Sequence, residues 1–170
     1  MNNSNNIDLF LPRSHNTDFF ANVLAKTILS HNKKPIRIYL KGEIGTGKTT
    51  FARSFLKTIG IIDKIKSPSY SILEQYNIES INIYHFDFYR LNNHIEFLDL
   101  GFKDLLLDEE AIFLIEWPEK TKESLPIPDI EISFQCYKEG RIVKILAQTI
   151  QGIGWMKIME TKKINLQNLL

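Results

Sequence analysis

The sequence predicts an α/β fold: a single domain with a mostly parallel central sheet, flanked by helices and extended by antiparallel hairpins. Three observations carry this. Strand-like and helix-like stretches alternate through the first third of the chain, the order in which helices join parallel strands. A glycine-rich turn at 42–47 lies between an apolar strand and an amphipathic helix. The run Ala111 to Ile115 is continuously apolar, which suits a central strand covered on both faces.

Each element has its own signal. After an Asn-rich opening, in which residues 1–6 are expected to fray, Ile7 to Leu11 reads as a short strand, and Pro12 ends it for want of an N–H. Asn16 is the expected N-cap of a helix in which Phe19, Phe20, Val23, Leu24, Thr27 and Ile28 recur at helical spacing, up to a polar break at Ser30 to Lys34. Pro35 opens a strand through Ile36, Ile38 and Leu40. Phe51, Phe55, Leu56 and Ile59 give a helix over Lys48 to Ile59, stopped by Gly60. Tyr70 to Tyr76 and Ile81 to Arg90 flank a polar turn at Asn77 to Ser80 and read as a hairpin. Ile95 to Leu107 is helical with Gly101 as a break. Beyond a loop containing Pro118, Pro126 and Pro128, Ile130 to Tyr137 and Ile142 to Ala147 alternate about Lys138 to Gly140 as a second hairpin. Residues 151–170 form a C-terminal tail, with a short helix expected from Trp155, and residues 1–170 read as one domain.

Composition excludes several classes. A chain of 170 residues with 44% hydrophobic and 24% charged residues can bury an ordinary core without disulfide or metal staples. The net charge of +1 provides no general field for nucleic acid, so any RNA contact is local or borrowed from a partner. Cys136, alone, excludes an intrachain disulfide and is expected to be a small core residue. The histidines at 15, 31, 85 and 94 lack zinc-ligand spacing, and His85 reads as a polar strand residue able to tune Asp87. Lys33, Lys34, Arg37 and Lys41 read as a solvated basic face. No run approaches the roughly 18 apolar residues of a membrane span, and no basic leader opens the chain, so a soluble, cytoplasmic protein is expected.

The chemical signal is Gly42, Glu43, Ile44, Gly45, Thr46, Gly47, Lys48 and Thr49, which satisfy the P-loop pattern in its required strand–loop–helix setting. Glycines let backbone N–H groups converge on phosphates, and the helix start adds its positive dipole end. Lys48 can reach the outer phosphates, and the Thr49 hydroxyl can ligate Mg²⁺. Such a site needs an acidic metal or water handle at a neighbouring strand end. Alternation places Ile83, His85, Asp87 and Tyr89 on one face and Tyr84, Phe86, Phe88 and Arg90 on the other, so Asp87 can hold the metal through water. Glu116 emerges from the buried run, where it can serve the metal or activate water. From the residues alone, Asp87 can instead pair with Arg90, and Glu116 can cap a loop. The fold class is thus a single-domain P-loop NTPase, with Lys48 and Glu116 as its catalytic candidates and a small P-loop metabolite kinase as the alternative. Only Arg53, Arg90 and Arg141 follow the loop, short of the cationic lid that a kinase generally needs. A module in which nucleotide is only structural has no use for Glu116.

Read together, GEIGTGKTTFARSFLKTIG, SPSYSILEQY, HFDFYRL, LGF and EWPEK resemble the TsaE family, small bacterial P-loop ATPases needed for threonylcarbamoyladenosine in tRNA. The resemblance spans roughly residues 7 to 150. It implies bound ATP and Mg²⁺ and weak ATP hydrolysis. It sets Lys48, Thr49 and Thr50 on phosphate and metal positions, Asp87 on the magnesium-associated aspartate, and Glu116 on the glutamate required for hydrolysis. Ser67, Pro68 and Ser69 fall on a switch-like Ser-Pro-Thr, where Ser69 keeps the hydroxyl but lacks the methyl that stiffens χ1. Trp117 and Arg90 match family residues near the site. The implied partners are TsaD and TsaB, with tRNA reached indirectly through their complex and neither DNA nor a membrane involved. TsaD would transfer the threonylcarbamoyl group, ATP would favour docking, and hydrolysis would reset the complex.

Overall fold

The computed structural model describes residues 5–30 and 33–161. Most of the expected frayed opening, two residues of the polar break and the end of the tail therefore lie outside the described residues. Along the chain run β1 (Asn6–Leu11), α1 (Ser14–Leu29), β2 (Ile36–Lys41), α2 (Lys48–Ile59), β3 (Leu73–Ile78), β4 (Ile81–Asp87), α3 (His94–Asp99), α4 (Phe102–Leu105), β5 (Ile112–Glu116), β6 (Ile130–Tyr137), β7 (Gly140–Ala147) and α5 (Ile150–Thr161). The seven strands form one sheet in the order β1-β7-β6-β2-β5-β4-β3. Its four inner strands, β6, β2, β5 and β4, pair in parallel. Antiparallel partners close both edges: β7 and β1 beyond β6, and β3 beyond β4. This is the expected α/β class, with a parallel centre and hairpin additions.

The two sheet faces bury different chemistry. Ile38, Leu40, Ile83, Ile112, Leu114 and Ile132 face α1, α2 and α5 as a largely aliphatic layer. Phe20 of α1 meets Phe51 of α2 with ring centroids 5.3 Å apart, and Ser54 and Thr58 of α2 hydrogen-bond Asp18 and Asn22 of α1. Tyr84, Phe86, Phe88 and Phe113 face the other way, against Phe97 and Phe102 of α3 and α4. Every residue of β5 is buried, as a strand covered on both sides requires. α2 ends at Gly60 with φ +117°, where the Gly60 and Ile61 N–H groups donate to the Lys57 and Leu56 carbonyls, the paired bonds that a left-handed terminal glycine permits.

Several local expectations shift. α1 starts at Ser14, so Asn16 is no N-cap. It occupies the third helical position, accepting from the Arg13 N–H at Oδ1 (3.1 Å) and donating its own N–H to the Arg13 carbonyl (3.1 Å), and so secures the helix start from inside. The first hairpin strand begins at Leu73, because the chain turns at Pro68–Ser71, Ile72 N–H donates to the Pro68 carbonyl, and Ile72 adopts φ +66°. β4 ends at Asp87, where Phe88 N–H turns to the Glu116 carbonyl, so strand alternation does not extend to Arg90. Cys136 is exposed rather than in the core, since burial along β6 stops at Phe134 and its last three residues, 135–137, all face solvent. The basic cluster is partly paired: Lys41 Nζ lies 3.0 Å from Glu131, Lys34 3.9 Å from Glu110, and Arg37 over the Phe113 ring. α5 starts at Ile150, five residues before the expected helix. Among the described residues no helix is long and apolar enough to cross a membrane.

Candidate active site

Because β2, β5 and β4 are parallel, their C-terminal ends open together, the edge at which α/β sheets present ligand-binding groups. Register aligns Leu40, Glu116 and Asp87 in one row across the three strands. The chain leaves β2 into the glycine loop. Gly42 has φ +132°, and a Cβ there would collide with the Phe134 carbonyl of β6, so the position needs glycine on both counts. Gly47, also left-handed, starts α2 under the Arg141 guanidinium, whose Nη1 donates to the Thr46 carbonyl at 3.2 Å. Within the loop, Thr46 Oγ1 donates to the Glu43 carbonyl at 2.8 Å.

Lys48 is buried at the head of α2. Its Nζ donates to the Gly42 and Glu43 carbonyls (2.5 and 2.9 Å) and lies 4.1 Å from the centre of the Trp117 ring. Burial lowers its pKa, and the charges of Glu116 and Asp87 oppose that shift. Trp117 holds its ring there from a left-handed backbone, φ +58°, an unfavourable conformation for a bulky residue immediately after β5.

Glu116 is 1% exposed, with both oxygens engaged: Oε2 accepts from Thr49 Oγ1 at 2.9 Å, and Oε1 lies 3.0 Å from Nε2 of His85. Asp87, level with it on β4, accepts the Tyr89 N–H at Oδ1 (3.0 Å). Burial raises the Asp87 pKa; the Tyr89 hydrogen bond lowers it, and the neighbouring Glu116 charge adds to the rise.

These groups share a cleft of about 290 Å³ lined by Ile44, Lys48, Thr49, Ser69, Asp87 and Glu116, among others. Gly45 and Ser67 also line it, and so do Trp117 and Arg90, at its rim. Arg90 lies over the Tyr70 ring at 4.2 Å rather than pairing with Asp87. Gly42, Glu43, Thr46 and Gly47 shape the loop behind the lining, and Thr50 is half-buried in the first turn of α2. A larger cleft of about 430 Å³, bordered by Tyr39, Lys41, Pro126 and Glu131, contains none of these residues. Two further side chains shape the site. His85 bonds Glu116, not Asp87, although its place on the Asp87 face of β4 was the available clue; Arg141 reaches the loop from β7 with no local signal at all.

Residues 11–143 match the family described as "Threonylcarbamoyl adenosine biosynthesis protein TsaE". The chain belongs to the TsaE family. The matched span holds every cleft residue and Arg141. A Haemophilus influenzae relative, tRNA threonylcarbamoyladenosine biosynthesis protein TsaE, is 41% identical over 133 residues, 78% of this chain and 82% of that protein. The Rickettsia felis TsaE is 35% identical over 119 residues, 69% and 68% of the two chains. The crystal structure of Bacillus subtilis YdiB superposes with a TM-score of 0.75 over 93% of this chain and 96% of that one; at 21% identity it shows the shared fold. In this TsaE chain, then, the family's sheet carries the glycine loop and two carboxylates to one cleft.

Proposed function

We propose that this chain binds ATP with Mg²⁺ in the cleft, hydrolyses it, and so drives threonylcarbamoyladenosine modification of tRNA as an accessory to a TsaD–TsaB complex in the cytoplasm. One observation carries the hydrolytic reading: Glu116, a buried carboxylate, meets Thr49 at the head of the loop helix inside the same cleft as Lys48. The donor set fits Mg²⁺. Thr49 and Asp87 offer oxygen, the element this ion prefers, and among the described residues no three His, Cys, Asp or Glu side chains form a metal cage. That suits an ion held by few protein groups, with phosphate oxygens and water around the rest. Bound Mg²⁺ supplies neutralisation of charge on the phosphates. Lys48, partly desolvated, provides a cation whose attraction is little screened by water. Glu116 orients the attacking water and accepts its proton, a task for a carboxylate fixed at one place.

The chain's near-zero net charge supports RNA being handled by the partners. Hydrolysis resets a complex only if ATP and ADP differ in their effect on docking, because a ligand shifts an equilibrium by its differential affinity alone. Titration calorimetry against a TsaD–TsaB pair should therefore give tighter binding with ATP than with ADP, by about 5- to 150-fold. Equal affinity with ATP, ADP and no nucleotide overturns the coupling. An acceptor-free incubation yielding ADP and phosphate separates the ATPase from a metabolite kinase, which requires its acceptor.

A further inference from the structure

We infer that His85 is a positioning residue for Glu116: it holds one carboxylate oxygen permanently, while Thr49 holds the other removably. The inference rests on the hydrolytic reading above and adds to it a residue with no contact to the cleft. His85 is not among the cleft's lining side chains, and it is fully buried. Its ring reaches Glu116 because β4 and β5 run parallel: His85 pairs with Leu114, two residues before Glu116 on the same face of the sheet.

A glutamate's last torsion is broad and nearly two-fold, so an unheld carboxylate can present either oxygen in many orientations. Here both are held, by unlike partners. Thr49 is half-buried at the cleft, and its hydroxyl is a free rotor that can turn from Glu116 to another acceptor or to a cation. His85 has no such freedom. An ionised carboxylate only accepts, so Nε2 carries the hydrogen of the 3.0 Å contact. Among the described residues Nδ1 has no hydrogen-bond partner, which leaves the bond to Glu116 as the ring's one polar contact there. A polar ring buried for a single bond is costly unless that bond is used. When Thr49 turns away, Oε2 is released toward the cleft to take a proton from water, and Oε1 stays on His85, so the carboxylate keeps its aim.

The test separates aim from folding. His85→Leu should lower kcat for ATP hydrolysis by roughly 10- to 100-fold, with nucleotide affinity and KM changed by less than about twofold. His85→Gln, whose amide N–H can occupy the place of Nε2–H, should recover most of the rate. In a Glu116→Gln background, His85→Leu should cost nothing further, because the two act as a unit. Full, multiplicative loss in that background, or a raised KM at unchanged kcat, overturns the inference. Imidazole NMR of the free protein gives a readout without turnover: His85 should carry its hydrogen on Nε2, and that proton resonance should move upfield in Glu116→Gln as the anionic acceptor is lost. A bare Nε2, or a resonance indifferent to Glu116, overturns it too, and this arm decides alone if His85→Leu does not fold. Should Glu116→Gln hydrolyse ATP at the parent rate, the hydrolytic reading fails, while the NMR result still reports whether the bond exists.

Discussion

The glycine loop and the carboxylates opposite it line one cleft, yet they are built differently. The loop is a continuous piece of chain whose shape is set by backbone dihedrals, with left-handed glycines at 42, 45 and 47 and a lysine folded back on its own carbonyls. Asp87 and Glu116 come from separate strands and meet because those strands share a register. The loop side buries one charge, Lys48, against backbone carbonyls; the carboxylate side places an aspartate, a glutamate and a histidine where water is scarce. On the proposed function this difference is a division of labour, in which local chain shape provides affinity and the cross-strand cluster provides rate at a cost in stability.

The sharpest way to break that division is Glu116→Gln. It should slow ATP hydrolysis by at least about a hundredfold while leaving ATP affinity nearly unchanged, since a water-positioning group acts chiefly in the transition state. Single-turnover kinetics beside equilibrium nucleotide binding would show it, and equal losses in both would move Glu116 to the binding side.

Lys48→Ala probes the other half. Losing a charge-assisted contact worth about 1.5–3 kcal/mol should weaken ATP binding by roughly 10- to 150-fold. An unchanged dissociation constant would remove the loop from the binding role.

The smallest effect tests the stability cost. In protein free of nucleotide and metal, Asp87→Asn should raise the melting temperature at neutral pH by on the order of a few degrees, because the amide still accepts the Tyr89 N–H but buries no charge. The sign follows from the raised pKa: ionised Asp87 penalises the folded state above that pKa, and the penalty fades as pH falls through it toward the ordinary value of 3.8. The advantage of Asn should therefore be full near neutrality and vanish in acid. Melting curves across that range would show it, and a pH-independent difference would mean that burial of this charge costs nothing.

Legibility in the sequence followed the range of the signal. α2 has the expected bounds because its glycine start, apolar spacing and Gly60 stop all lie within a few residues of one another. The β6–β7 hairpin and the buried β5 were legible for the same reason. Asn16 misled because a side chain can bond the first turn from the third helical position as well as from the cap. Tyr70 has a strand former's chemistry, but the turn at Pro68–Ser71 leaves it 80% exposed, stacked under Arg90. Cys136 falls in step with the buried Ile130, Ile132 and Phe134, yet it lies in the last three residues of β6, all of them exposed.

By itself the sequence determined most of the elements, the glycine loop whose backbone shape suits phosphate, and the acidic residues at two strand ends, because periodicity and turn chemistry act between near neighbours. Only the tertiary structure decided what Glu116 touches. The parallel register of β4 on β5 brings His85 to one of its oxygens, the packing of α2 brings Thr49 to the other, and the return of β7 lays Arg141 across the loop. Each contact joins residues far apart in the chain, and the free energy that places them comes from burying whole faces of the sheet, which no local pattern encodes.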